Sequence, residues 1–178
     1  MLVCCALLGV PSLAGAYDVG EMIAYKLERS RAALRGGDWD VYVTGYAWHA
    51  TWAYDSRQRD ELNDLALGGG LGRSVTDADG DRHLLYGMLF RDSHRKPQYT
   101  AGYGWLTYWP AGAKLRLGLG YTVGIFARSD VRDYTPLPFG AGLVSALYGD
   151  FELMVALVPG VEPDSGNVAL VFGRWKWD

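Results

Sequence analysis

Residues 115–126 read LRLGLGYTVGIF, a segment in which bulky apolar residues alternate with small or polar ones. The odd positions carry Leu115, Leu117, Leu119, Tyr121, Val123 and Ile125, and the even positions include Arg116, Gly118, Gly120, Thr122 and Gly124. Successive side chains of a β-strand point to opposite faces of a sheet. This period of two therefore predicts a strand with one large apolar face and one narrow face.

The same alternation continues on both sides of this segment. In residues 99–109 one face carries Tyr99, Tyr103, Trp105 and Trp109, and the other carries Thr100, Gly102 and Gly104. In residues 42–54 one face carries Tyr46, Trp48 and Trp52, and the other carries Gly45, Ala47, His49 and Thr51. Turn-forming residues separate such segments. They divide the chain into eight predicted strands, at residues 39–55, 67–76, 81–92, 98–109, 114–127, 137–148, 150–159 and 166–177.

This pattern predicts an all-β protein, an eight-stranded antiparallel outer-membrane β-barrel preceded by an amphipathic helix. Most predicted strands reach the ~9 to 11 residues that cross a bilayer at a tilt, and a closed sheet leaves no unpaired backbone groups in hydrocarbon. A soluble eight-stranded barrel would place its bulky residues inside and its charges outside. Because the bulky faces here carry few charges, a soluble periplasmic carrier of the lipocalin type is the less favoured alternative.

Three regions are expected along the chain. Residues 1–16 are typical of a secretory signal peptide, although no basic residue precedes the apolar run from Leu2 to Val10, which indicates a truncated leader. Residues 17–37 form an amphipathic helix, which suits the plane of a membrane surface and the mouth of a soluble barrel equally well. Residues 38–178 form the barrel.

Composition excludes several classes of function. A net charge of -3 does not favour nucleic acid binding, which normally needs a basic face. Both cysteines, Cys4 and Cys5, lie in the predicted leader, so the mature chain would carry no thiol. The three histidines are not clustered at metal-ligand spacing, and we expect neither a metal nor another cofactor.

Two places in the chain could carry chemistry. His49 lies on the small-residue side of the first strand, where the pattern alone favours a structural interior histidine, whereas His83 and His94 are expected to be solvated loop or rim residues. Asp92-Ser93 lies where the third strand meets a loop, and a serine becomes a nucleophile when a histidine takes its proton. An Asp-Ser pair at a strand end is more often a turn.

Several blocks of sequence together resemble the lipid A palmitoyltransferase family (PagP). They are residues 47–55 (AWHATWAYD), 68–72 (GGGLG), 85–93 (LYGMLFRDS), 101–105 (AGYGW), 115–122 (LRLGLGYT), 136–138 (PLP), 158–160 (VPG) and 166–168 (GNV). They cover essentially the whole predicted mature chain in order. The resemblance implies an outer-membrane barrel of a Gram-negative bacterium that transfers a palmitoyl chain from a glycerophospholipid donor to lipid A.

The resemblance also implies particular site residues. The family's essential histidine, aspartate and serine fall on His49, Asp92 and Ser93, and its acyl-chain ruler, a glycine at the barrel floor, falls on Gly104. Glycines would line a lumen that holds a hydrocarbon chain. We also assign Tyr42 to substrate binding.

Proline marks the lateral openings through which lipids enter barrels of this family, because it lacks the N–H donor of a strand ladder. Pro136, Pro138 and Pro159 match one such opening, between the sixth and seventh strands. At the second opening the family has a proline where this sequence has Thr44, so the resemblance does not extend to that route. We expect a monomer, with a homodimer as the alternative. A lipid-binding or structural barrel without enzymatic activity is the alternative function.

Overall fold

The fold, seen in a computed structural model, is a closed antiparallel barrel whose eight strands pair in chain order. The structure describes residues 18–49, 65–92, 94–159 and 168–177, with the backbone alone at His49. The elements are α1 (Val19–Gly36), β1 (Asp38–His49), β2 (Gly68–Thr76), β3 (Arg82–Arg91), β4 (Pro97–Pro110), β5 (Leu115–Arg128), a short 3-10 helix (Arg132–Tyr134), β6 (Leu137–Tyr148), β7 (Phe151–Val158) and β8 (Val168–Trp177). No helix within these ranges is both long and apolar enough to cross a membrane.

The barrel has two distinct ends. At the turn end, tight connections join β2 to β3, β4 to β5 and β6 to β7, and α1 leads into β1. At the loop end, β1, β3, β5 and β7 finish. The segments that follow β1, β5 and β7 are longer than the turns, and the one that follows β3 has five residues, as the β2–β3 turn has. The predicted first strand extended to residue 55, and its last six residues lie outside the described ranges, as does the predicted leader.

The predicted orientation of the alternating residues is confirmed. Along β5 the bulky residues Leu117, Leu119, Val123 and Ile125 are about half exposed on the outer surface, whereas Thr122 is buried inside. On β4, Tyr99 and Trp109 are also exposed. A soluble carrier would show the opposite arrangement.

One β-bulge reverses the alternation in β1. The pairing between β1 and β8 shifts register between Thr44 and Tyr46, so Gly45 is the extra residue. Before the bulge Tyr42 and Thr44 are buried inside the barrel, and after it Tyr46 and Trp48 are exposed outside. A bulge adds one residue to one strand and so shifts the alternation by one position. For this reason the polar and aromatic side chains before it point inward, and the aromatic side chains after it point outward.

The interior near the turn end is filled by a buried ionic cluster. Arg174 contacts Asp40 through Nη1 and Glu152 through Nε, the latter at 2.9 Å. Glu152 also accepts hydrogen bonds from Arg82 at 3.2 Å and from the Tyr108 hydroxyl at 2.7 Å. The two arginines neutralise the two carboxylates, and the paired side chains fill the interior at this end of the barrel.

Helix α1 packs against the outer wall of the barrel at the turn end. Asp18 caps its first turn through Oδ1, which accepts from the Gly20 N–H at 2.8 Å. The Tyr25 hydroxyl donates to Asp77 Oδ2 at 2.6 Å, and Lys26 Nζ lies 4.3 Å from the centre of the Trp105 ring. Its outer face leaves Val19, Met22, Ile23, Leu27 and Leu34 exposed, as the amphipathic pattern predicts.

The expectation that His83 is a solvated rim residue was wrong. Its side chain is fully buried beneath α1, with Nε2 2.9 Å from Asp77 Oδ2 and Nδ1 2.8 Å from the Tyr103 hydroxyl. His83 faces outward on β3. This face would be exposed to solvent in the barrel alone, but α1 packs over it. His94, by contrast, is exposed as expected.

Asp77 links the helix to the barrel, and its ionisation should make that link pH-dependent. Burial alone would raise the pKa of this carboxyl, but hydrogen bonds from Tyr25 and His83 outweigh it and lower the pKa from 3.8 to about 2. A group with a lowered folded pKa contributes stability above its unfolded pKa and loses it as pH falls through the folded one.

We therefore expect Asp77→Asn to lower the free energy of unfolding by about 1–2 kcal/mol near neutral pH. This deficit should shrink as pH falls from about 4 toward 2, because the wild-type carboxylate then becomes protonated too. Denaturant titrations at several pH values measure the difference. Asp79→Asn, in the same turn but exposed, is the control, and a deficit for Asp77→Asn that is independent of pH would contradict the assignment.

Candidate active site

The loop-end half of the barrel contains an apolar cavity of about 210 Å³. Large inward-facing side chains form its wall: Tyr42, Leu84, Tyr86, Met88, Phe90, Leu143, Met154 and Phe172. Asp92, Gln98 and Arg128 line it toward the loop end. The ionic cluster fills the other end of the barrel. The cavity is thus an apolar space with polar residues at one side, which suits a single hydrocarbon chain with a polar head.

The interior glycines do not line this cavity, contrary to the sequence interpretation. No glycine is among the described residues of its wall. A Cβ atom on Gly70 would lie 2.5 Å from Met88 Cγ, and one on Gly72 would lie 2.8 Å from the Tyr42 ring. Only glycine fits at these positions, because large side chains from neighbouring strands occupy the space that a side chain there would need.

Gly104 follows the same rule. Two residues of the cavity wall lie above it, since a Cβ atom on Gly104 would be 3.3 Å from Leu84 Cδ1 and 3.5 Å from Leu143 Cδ1. Any side chain introduced at residue 104 would push these flexible leucines toward the cavity. A substitution at Gly104 would therefore change the shape of the cavity indirectly, by moving Leu84 and Leu143.

Tyr42 lies directly on the cavity wall, where the sequence interpretation placed a substrate contact. Its ring is 1% exposed and packs against Tyr86 and Phe172, with ring centres 5.9 and 6.3 Å away. Its hydroxyl is buried and has no hydrogen-bond partner among the described residues. This ring can contact an alkyl chain along one side of the cavity.

Asp92 is the predicted catalytic residue whose side chain the structure describes. It is 4% exposed, and its Oδ1 accepts from the backbone N–H groups of His94 and Lys96 at 2.9 and 2.8 Å. Its backbone N–H also donates to the Lys96 carbonyl at 2.8 Å. The carboxylate is therefore held in a fixed direction by the turn that follows β3.

The second oxygen of Asp92 faces a cation that the sequence interpretation missed. Arg128 Nε lies 3.9 Å from Asp92 Oδ2, which is buried and accepts no hydrogen bond from the described residues. Arg128 is itself fixed by Asp130, which accepts from Nε at 2.8 Å and from Nη2 at 2.5 Å. Burial works against the charged form of Asp130, but these bonds outweigh it and lower the pKa of Asp130.

The other two predicted catalytic groups lie outside the described residues. The backbone of His49 ends β1 and pairs with Val168 of β8, but its side chain is not described. Ser93 follows Asp92 directly and is not described at all. The backbone of His49 ends β1 at the loop end of the barrel, where Asp92 also lies.

The strand ladder is interrupted on both sides of the cavity at the loop end. Pairing between β6 and β7 begins at Gly142 and Leu157, so residues 137–141 pair with β5 but with no described residue of β7. Pro138 lies in this stretch, Pro136 precedes it, and Pro159 follows the end of β7. The three prolines therefore flank one lateral break.

A second break lies between β1 and β2. Their pairing ends at Thr44 and Gly68, and beyond this point β1 pairs with β8 alone among the described residues. The Thr44 hydroxyl donates to the Ala66 carbonyl at 2.5 Å, which ties the start of the connecting segment to β1. The described part of β1 contains no proline, so this break occurs without one, and the bulge at Gly45 in the β1–β8 pairing follows it directly.

An apolar outer wall, an apolar interior cavity and a buried carboxylate beside lateral breaks define a class of protein: a closed barrel with an interior space suited to an apolar chain. The family described as antimicrobial peptide resistance and lipid A acylation protein PagP matches residues 30–174. The chain belongs to the PagP family.

Curated relatives agree over most of the chain. The lipid A acyltransferase PagP of Bordetella pertussis is 46% identical over 142 residues, which are 80% of this chain and 77% of the relative. The lipid A acyltransferase PagP of Laribacter hongkongensis is 40% identical over 142 residues, or 80% of this chain and 68% of the relative. The lipid A palmitoyltransferase PagP of an Escherichia coli O6:H1 strain is 39% identical over 141 residues, or 78% of this chain and 75% of the relative.

Proposed function

We propose that this chain is an outer-membrane acyltransferase that moves a palmitoyl chain from a glycerophospholipid to lipid A of lipopolysaccharide. The observation that carries the proposal is the apolar cavity of about 210 Å³ that ends beside the buried carboxylate of Asp92. The names of the relatives support lipid A as the acceptor. The half-exposed apolar wall supports a location in the outer membrane of a Gram-negative bacterium.

The proposed chemistry is acyl transfer at the loop end. His49 acts as general base, Asp92 orients it or positions the lipid, and Ser93 is the nucleophile or a polar contact to the developing oxyanion. The breaks on either side of the cavity supply routes from the bilayer, one flanked by Pro136, Pro138 and Pro159. We infer that the barrel acts as a monomer, since described residues of one chain line the cavity, and a homodimer is the alternative.

Gly104 sets the acyl-chain length that the cavity accepts. We expect Gly104→Met to shift donor preference toward shorter chains, because its side chain would displace Leu84 and Leu143 into the cavity. Competition between donors of different chain length in one reaction measures the preference. Ala146→Met places the same side chain on the outer face of β6 and should leave preference unchanged. Identical preferences in both variants would refute the ruler role.

Mass spectrometry of lipid A tests the proposal as a whole. Expression of the full chain, with a leader, in a Gram-negative host lacking a homologous enzyme should add one palmitoyl mass to lipid A. A folded barrel in the outer membrane, seen by heat-modifiable gel mobility, with unmodified lipid A would favour a lipid-binding or structural barrel instead. Recovery of the chain in the soluble periplasmic fraction would overturn the membrane assignment.

A further inference from the structure

A groove on the outer wall of the barrel interrupts its otherwise bulky surface. It lies in the loop-end half and crosses β2 to β5. In one row of paired residues, Leu71, Gly87, Ala101 and Ile125 lie side by side on four neighbouring strands. Two small residues between two large ones leave a channel that spans roughly three strand spacings, about 14 Å. Leu89 and Tyr99 form the next row toward the loop end.

The packing of the barrel does not require the glycine in this groove. A Cβ atom built on Gly87 would meet no atom within 4 Å, in contrast to the interior glycines. Glycine inside a strand costs about 0.5–1 kcal/mol relative to alanine. An exposed strand glycine that nothing in the fold needs is typical of a place where a ligand approaches the backbone.

Cations cluster where the groove reaches the loop end. Arg91 follows Leu89 on the same face of β3, and Arg95 and Lys96 lie in the turn that follows. All three are exposed, and none forms an ion pair with another residue in the described part of the chain. Arginine and lysine at this position suit the phosphate oxygens of a lipid headgroup.

We propose that this groove binds the acceptor, with one acyl chain of lipid A lying over Gly87 and Ala101 and a phosphate held at Arg91, Arg95 and Lys96. The proposal rests on the proposed function and places its second substrate. Arg91 immediately precedes Asp92, so a lipid held on the outside of β3 presents its sugar over the rim to the reacting groups. Lipid A is chosen over a second phospholipid because the donor chain already has a place inside the barrel.

The apolar half of the site is tested by filling the groove. Purified Gly87→Leu and Ala101→Leu are assayed in detergent micelles with a fixed phospholipid donor and increasing lipid A. We expect the KM for lipid A to rise about tenfold, and the ratio of transfer to water hydrolysis to fall accordingly. Ala146→Leu, an outward-facing alanine on β6, is the matched control.

The charged half is tested with lipid A that lacks its phosphates. Wild type should prefer the phosphorylated acceptor by about tenfold, a preference that Arg91→Gln loses and Arg91→Lys keeps. Groove variants with the same KM for lipid A as Ala146→Leu would overturn the proposal. A fall in hydrolysis equal to the fall in transfer would also overturn it, because it would show that the groove binds the donor. Absence of both activities in the wild type would instead overturn the proposed function.

Discussion

Replacing His49 with alanine is expected to reduce acyl transfer by a factor of about 10² to 10⁴, the range typical of losing a general base. Both transfer to lipid A and hydrolysis by water should fall, because both need the same proton acceptor. Asp92→Asn should also reduce both rates, since its buried carboxylate is fixed by two backbone N–H groups and faces Arg128. Rates of labelled fatty acid transfer in detergent micelles measure the effect.

The matched control for this loss is His94→Ala. The His94 ring is exposed, and its replacement keeps the backbone N–H that Asp92 accepts. This variant should retain transfer within about a factor of two, and heat-modifiable gel mobility should show folded barrels for all three variants. Wild-type rates for His49→Ala would remove His49 from the mechanism.

Removing Arg174 is expected to cause the largest loss of stability. Arg174 is 1% exposed and holds two carboxylates, those of Asp40 and Glu152, which are both fully buried. Arg174→Ala would leave two carboxylates in the barrel interior, and among the described residues Arg82 would be the remaining cation paired with Glu152. Breaking a buried ion pair by removing one partner costs about 3–5 kcal/mol. We therefore expect the free energy of unfolding to fall by about that amount.

Lys176→Ala is the control for this prediction. Lys176 lies two residues further along β8, and its contact with Asp38 at 3.4 Å is solvent-exposed. Exposed ion pairs contribute about 0–1 kcal/mol, so this variant should unfold almost as the wild type does. Urea titrations of the barrel in detergent measure both. Equal losses in the two variants would show that the ionic cluster does not stabilise the barrel.

Much of the fold could be predicted from the sequence because the outer wall obeys one simple rule. Leu117, Leu119 and Val123 face outward at every second position, and the strand bounds follow from that period. The bulge at Gly45 could not be predicted, since it depends on the register between β1 and β8, which are 119 residues apart at their ends Val168 and His49. Local alternation carries no information about such pairings.

The interior was harder to predict because it depends on which strands lie opposite each other. The glycines of β2 make room for Tyr42 and Met88, which belong to neighbouring strands. In the same way Asp40, Arg82, Glu152 and Arg174 come from four different strands and meet only when the barrel closes. His83 was misjudged for a related reason, since α1 covers it from a distant part of the chain.

The candidate site was predicted from the family resemblance and not from periodicity. An Asp-Ser pair at a strand end is an ordinary turn sequence, and only the matching blocks around it singled out Asp92. Arg128 and Asp130 were missed, although a cation two residues before a carboxylate at a strand end is a signal of a local ion pair. The contact of Arg128 with Asp92 requires β3 and β5 to end at the same level of the barrel, and this level is set by the strand register.

The most direct test of the central claim follows one acyl chain between two lipids. Purified wild-type protein is mixed in detergent micelles with a phospholipid carrying an isotope-labelled palmitoyl chain and with unlabelled lipid A. We expect labelled palmitate on lipid A, with lysophospholipid released in equal amount. Labelled free fatty acid without labelled lipid A, or an unchanged donor in the presence of folded barrel, would contradict the account.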